Sequence, residues 1–166
     1  MSLHYLIEHA ENAKLALELA QKEVKHLTYT HQTLFSQSID LDWVQSLSEC
    51  EDLSEKIDAF VSRFGRLQDH IGEKLIPRFA ALLGESPKSL LDVLNYAEKM
   101  GWISDTMSFV SARKLRNLLV HEYMTDANLF LQSLQTANKA TIMLIFIVNN
   151  LKQYADEIGL INDTEH

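Results

Sequence analysis

Residues 3–27 read LHYLIEHAENAKLALELAQKEVKHL, and this stretch decides the fold class. Leu3, Leu6, Ala10, Ala13, Leu17, Ala20, Val24 and Leu27 recur at alternating steps of three and four, an apolar seam carried over more than three heptads. A strand cannot use that spacing, because its side chains change face at every residue. Alanines along the seam let a neighbouring helix approach closely, and Ser2 stands where an N-cap belongs.

The same stepping returns twice. Leu53, Ile57, Phe60, Phe64, Leu67, Ile71, Leu75, Phe79 and Leu82 hold one face of a long helix that starts near Asp52 and stops at Gly84. Pro77 lies inside this pattern and removes the hydrogen bond to the Glu73 carbonyl, which predicts a kink or break. Phe130, Leu134, Ala137, Thr141, Leu144, Val148, Leu151, Ala155 and Ile158 define a last helix, capped by Asp126 and ended by Gly159. Between them, Ser86-Pro87 reads as the opening of a helix that closes at Gly101, and Ser104-Asp105 as the opening of one running to about Tyr123. Thr28 to Ser38 is rich in Ser, Thr and Gln and reads as a loop. Asp40 to Leu47 reads as a short helix around Trp43. No segment alternates with period two. The expected fold is all-α: an antiparallel bundle of about five main helices, one domain over residues 1–166.

Composition agrees. Five glycines and two prolines in 166 residues fall far below the usual share of roughly 12%, too few for the turns of a sandwich or barrel. The single cysteine, Cys50, closes no intrachain disulfide and points to a reducing compartment. The N-terminus lacks a basic, apolar leader, and the most apolar run, Ala140 to Val148, is about half the ~20 residues a membrane span needs. These features lead us to expect a soluble, cytoplasmic chain with no membrane partner. Fifteen basic against twenty-three acidic residues leave a net charge of −8, so any function on RNA must rest on a local patch.

The chemistry that is absent narrows the choice. The chain has no Gly-rich phosphate loop, no Gly-x-Ser-x-Gly elbow and no Cys-x-x-Cys. A di-iron bundle needs two Glu-x-x-His pairs, and only Glu23–His26 has that form; His70 and Glu73 are three apart but make no site alone. We therefore expect no metal and no cofactor. His4, His9, His26 and His31 read as residues of solvated faces or loops.

The stretch that can carry chemistry is Ser111 to Asp126, SARKLRNLLVHEYMTD. At roughly 100° per residue, Arg113, Arg116, Asn117, Val120 and His121 share an arc about 140° wide, while Ala112, Leu115, Leu118 and Leu119 share an apolar one. Arg116 and His121 stand at the margins of the polar arc, roughly 7.5 Å apart in rise. They meet at one phosphate only if their side chains bend inward or a second subunit supplies half the groups. The structural alternative is an Arg116 paired to a carboxylate and a His121 buried at the helix end.

Arg116-Asn117-Leu118-Leu119-Val120-His121-Glu122-Tyr123 resembles the Arg-Asn-x3-His-x-Tyr signature of the HEPN superfamily, in its HepT-like branch. Ala97 to Ser104 is similar to the helix-end element that precedes the signature there. The likeness covers about residues 88 to 126 well and the bundle outline loosely. It implies a four- to five-helix bundle that forms a homodimer, with two signature helices facing across a cleft. It also implies a metal-independent ribonuclease acting as a toxin beside a small nucleotidyltransferase antitoxin. In that case His121 is the acid/base group, Arg116 the phosphate clamp, Asn117 a positioning residue and Tyr123 the acceptor of a nucleotide from the partner. Imidazole titrates near neutral pH, and guanidinium grips phosphate through two hydrogen bonds.

Arg113 and Arg66 are further candidates for holding RNA. Arg63 and Arg66 with His70 either line the same cleft or form a solvated helix edge, and this segment is not part of the signature. The negative charge keeps a second class open: a non-catalytic helical module that binds a nucleotidyltransferase or its nucleotide.

Overall fold

Helices α1 (Ala10–Leu34), α2 (Leu41–Gln45), α3 (Glu51–His70), α4 (Ile76–Leu82), α5 (Leu90–Lys99), α6 (Thr106–His121) and α7 (Ala127–Glu157) follow one another in a computed structural model that describes residues 5–121 and 125–161. Among the described residues there is no strand, and the all-α class is as expected. No helix among them is long and apolar enough to cross a membrane.

The three seams form the core. Ala13, Leu17, Ala20 and Leu27 of α1 are buried against Phe60, Phe64 and Leu67 of α3 and Phe130, Leu134, Ala137 and Leu144 of α7. Each fully buried Leu or Phe contributes about 1.5–3 kcal/mol of transfer free energy, so these faces set how each helix is rotated. The seam starts later than its spacing suggested. Ser2 and Leu3 lie outside the described residues, Leu6 is exposed, and a 3-10 turn at Ile7–His9 leads into α1.

Two boundaries differ from expectation. Residues 28–34 continue α1 and are not a loop. Thr30 and Leu34 extend the buried face, and the Thr30 hydroxyl bonds the His26 carbonyl and receives Arg63 from α3. A polar residue thus enters the seam because a distant arginine satisfies it. The helix expected from Ser86-Pro87 instead opens at Leu90, where Ser89 Oγ accepts from the Asp92 amide at 3.1 Å. Asp92 in the first turn complements the helix dipole, a pairing Ser86 does not have.

Asp40, Asp105 and Asp126 cap α2, α6 and α7 through their carboxylates. Gly84 (φ +84°) and Gly101 (φ +78°) end α4 and α5 in the left-handed conformation, where the Glu85 amide returns to Ala80 and the Trp102 amide to Ala97. The irregularity expected from Pro77 is a π turn, Ile71–Leu75, joining α3 to α4. Leu67, Ile71, Leu75 and Phe79 step by four three times, which would swing the apolar face by about 120° on a straight α-helix. The wider turn absorbs that drift, and all four residues stay buried.

Trp102 is enclosed by Phe79, Tyr96 and Tyr154, with ring centroids 5.3–5.9 Å apart. Burial is the main reason that both phenols are pushed above the ordinary 10.0. The unfolded chain therefore releases these protons first, and stability falls as pH rises above about 10. Urea melts between about pH 9 and 11 should show this fall, and a Tyr96→Phe/Tyr154→Phe double variant should show less of it. Parallel curves for the two proteins would contradict the burial effect.

Candidate functional site

The site lies where α6 crosses α3. At its start, α6 is held by the Asp105 cap, whose carboxylate accepts from the Ser108 hydroxyl at 2.8 Å and from the Met107 and Ser108 amides. The Ser108 hydroxyl leads these bonds in holding the Asp105 carboxyl below its usual range. Two further bonds tie the helix to α5: the Thr106 amide to Glu98 at 2.8 Å and the Thr106 hydroxyl to Asn95 at 3.1 Å. Phe109, Ala112, Leu115 and Leu119 are buried, which fixes the rotation of α6 and turns Arg113 and Arg116 toward α3. Leu118, expected in the buried sector, is exposed and borders a groove of about 550 Å³ between α6 and α7.

Arg116 Nη1 donates to Asp69 Oδ2 at 2.7 Å. The guanidinium lies across Gly65 so closely that a Cβ there would stand 2.5 Å from Nε. A depression opens on each side of Arg116. One, of about 310 Å³, is bordered by Gln68, Asp69, Arg113, Lys114, Arg116 and Asn117; the other, of about 270 Å³, by Asp58, Ser62 and Val120. Three cations against one carboxylate thus border the first cavity, in a chain of net charge −8. Arg113 and Lys114 make no ion pair among the described residues.

The structure brings together Arg113, Arg116 and Asn117 from the set singled out by sequence. Arg66 is not among the residues that border this cavity; its Nε lies 3.4 Å from Glu23 of α1. Arg63 donates to the His26 carbonyl, and the His70 ring N–H donates to the Ala16 carbonyl at 2.7 Å. This edge of α3 thus fastens α1. His31, expected on a solvated face, donates to Asn138 of α7 at 2.6 Å. His121 closes α6, but its side chain lies outside the described residues, as does Tyr123 entirely. Among the described residues no three His, Cys, Asp or Glu side chains cluster as metal ligands.

Sequence reasoning missed Asp69, Gly65 and Gln68. Two of them carried a signal. A lone glycine inside a strong helical pattern costs roughly 1 kcal/mol against alanine and usually has a packing reason. Gln68 stands four residues after Phe64 and three before Ile71, a polar residue on the apolar face. Nothing local marks Asp69 among the other acidic residues of α3.

Comparison with known proteins adds no relative: no family model, no curated protein and no solved structure matches the chain.

Proposed function

We propose that this chain is a HEPN-type, HepT-like endoribonuclease that cuts RNA without a metal ion. The reading is carried by one observation: Arg113, Lys114, Arg116 and Asn117 border a single cavity on the helix that His121 closes. The Arg116–Asp69 pair, with its side chains about one third exposed or more, is worth about 0–1 kcal/mol, so an incoming phosphate can take the guanidinium from Asp69. Arg116 then clamps the phosphate as negative charge develops on it. His121 accepts the proton of the ribose 2′-hydroxyl while its oxygen bonds to phosphorus. The bond from phosphorus to the 5′-oxygen breaks, and the leaving oxygen takes a proton from a second acid, supplied by the other copy of a homodimer. The products are a 2′,3′-cyclic phosphate and a 5′-hydroxyl.

The exposed Met107 and Leu118 on α6, with Ile142 and Phe146 one turn apart on α7, are apolar surface suited to that homodimer. In this reading a small nucleotidyltransferase is the antitoxin and Tyr123 is the residue it modifies. The chain reads as a cytoplasmic toxin.

Cleavage of RNA by the purified chain should persist in excess EDTA, since the proposed proton and charge transfers need only Arg and His. Activity that disappears in EDTA and returns with added metal would overturn the mechanism. A second reading, a non-cutting module that binds the nucleotidyltransferase or its nucleotide, draws support from the neutralisation of Arg116 by Asp69. RNA left uncut by a folded chain that still captures such a partner favours it.

A further inference from the structure

Gln68 is 1% exposed, and among the described residues neither its amide nitrogen nor its amide oxygen has a hydrogen-bond partner. A buried polar group left unpaired is destabilising, and a methionine of similar length would fill the same space without that cost. A carboxamide kept under these conditions needs an explanation. Its location supplies one. Gln68 borders the cavity of about 310 Å³ that also carries Arg113, Lys114 and Arg116, together with a smaller void reaching the buried ring of Phe109.

We propose that this cavity is a nucleotide subsite in which the Gln68 carboxamide reads a nucleobase edge while Arg113 and Lys114 hold the phosphate. A primary amide offers one donor face beside one acceptor face, the complement of a base edge that presents both. The cations favour an anionic ligand, and a volume near 300 Å³ is at the small end of ligand pockets, suited to one nucleotide unit. Both amide atoms are closed to solvent, so reading a base requires the Gln68 side chain to turn into the cavity it borders. The Arg116–Asp69 pair bordering the same cavity is the weak contact that a phosphate displaces first. Gln68 is thus a specificity residue, and this inference rests on the reading of the site as one that handles RNA.

Binding of the four ribonucleoside 5′-monophosphates and of inorganic phosphate to the full chain, measured by calorimetry, tests the proposal. One base should bind about 10-fold or more tightly than the least favoured, and all four more tightly than phosphate alone. Gln68→Met should fold with native helix content, be at least as stable in urea, and lose the preference while retaining phosphate-dependent affinity. Arg113→Ala should weaken all four nucleotides alike. A wild-type chain that binds no nucleotide, or binds all four equally, overturns the subsite whatever the variants do. So does a Gln68→Met protein with unchanged base preference. RNA left uncut despite base-selective binding refutes the ribonuclease and leaves the subsite standing, whereas cleavage at the same positions by Gln68→Met refutes the subsite alone.

Discussion

Arg116→Ala should lower RNA cleavage by about 10³-fold or more while changing stability by no more than about 1 kcal/mol. The two halves of that result come from one geometry. The guanidinium holds a single carboxylate, Asp69, at 2.7 Å, and about 40% of the Arg116 side chain is exposed, so water replaces the lost partner at small cost. In the proposed reaction the same group would face charge building on phosphorus, where a positioned cation counts for far more. Arg116→Lys should restore only part of the rate, because an ammonium keeps the charge but not the two-pronged grip. His121→Ala should likewise abolish cleavage, through loss of the proton acceptor. Parallel urea melts and ribonuclease assays separate this from a structural role, in which truncating Arg116 would destabilise by roughly 1–3 kcal/mol or more. A stable Arg116→Ala protein that cuts RNA at the wild-type rate would eliminate the clamp.

Gly65→Ala should reduce cleavage about 100-fold in a protein that is as stable as the parent or more so. Alanine in the middle of α3 gains roughly 1 kcal/mol of helix propensity over glycine. Against this, the new Cβ would stand 2.5 Å from Arg116 Nε and 3.0 Å from Cζ. Those atoms belong to the far end of a flexible side chain, so the guanidinium moves and the backbone stays. The displacement pulls Arg116 from Asp69 and from its place between the two cavities, and a shift of about 1 Å at such a group is enough to cost that factor in rate. In the proposed mechanism, glycine at this position would serve the placement of Arg116 at the expense of the helix. If Gly65→Ala is destabilised by more than about 2 kcal/mol, or cleaves normally, the glycine serves packing alone.

The helical class was legible because burial acts on each helix separately. Every seam residue from Phe130 to Ala155 is buried, and so are Ile57 to Leu82 on α3 and α4, despite the intervening π turn. That turn was partly legible too: the run of four-residue steps encodes it as much as Pro77 does. The helix openings at Asp105 and Asp126 were readable since their caps are contacts between residues three apart. One misread boundary was local, since Ser89 and not Ser86 caps α5, and another involved a distant partner. Residues 28–34 look like a polar loop until Arg63 reaches Thr30.

The candidate site divides along the same line. Sequence alone determined that Arg113, Arg116, Asn117 and His121 ride on one helix, because 3.6-residue periodicity is a property of the local backbone. Only the tertiary structure decided what that helix faces. The burial of Phe109, Ala112, Leu115 and Leu119 rotates Arg116 onto Gly65 and Asp69, and sets Arg113 and Lys114 around the unpaired carboxamide of Gln68. Asp69 lies 47 positions from its arginine, and no local propensity spans that separation. Pairing across it follows from how two apolar faces pack, and that is settled only when the whole core forms at once.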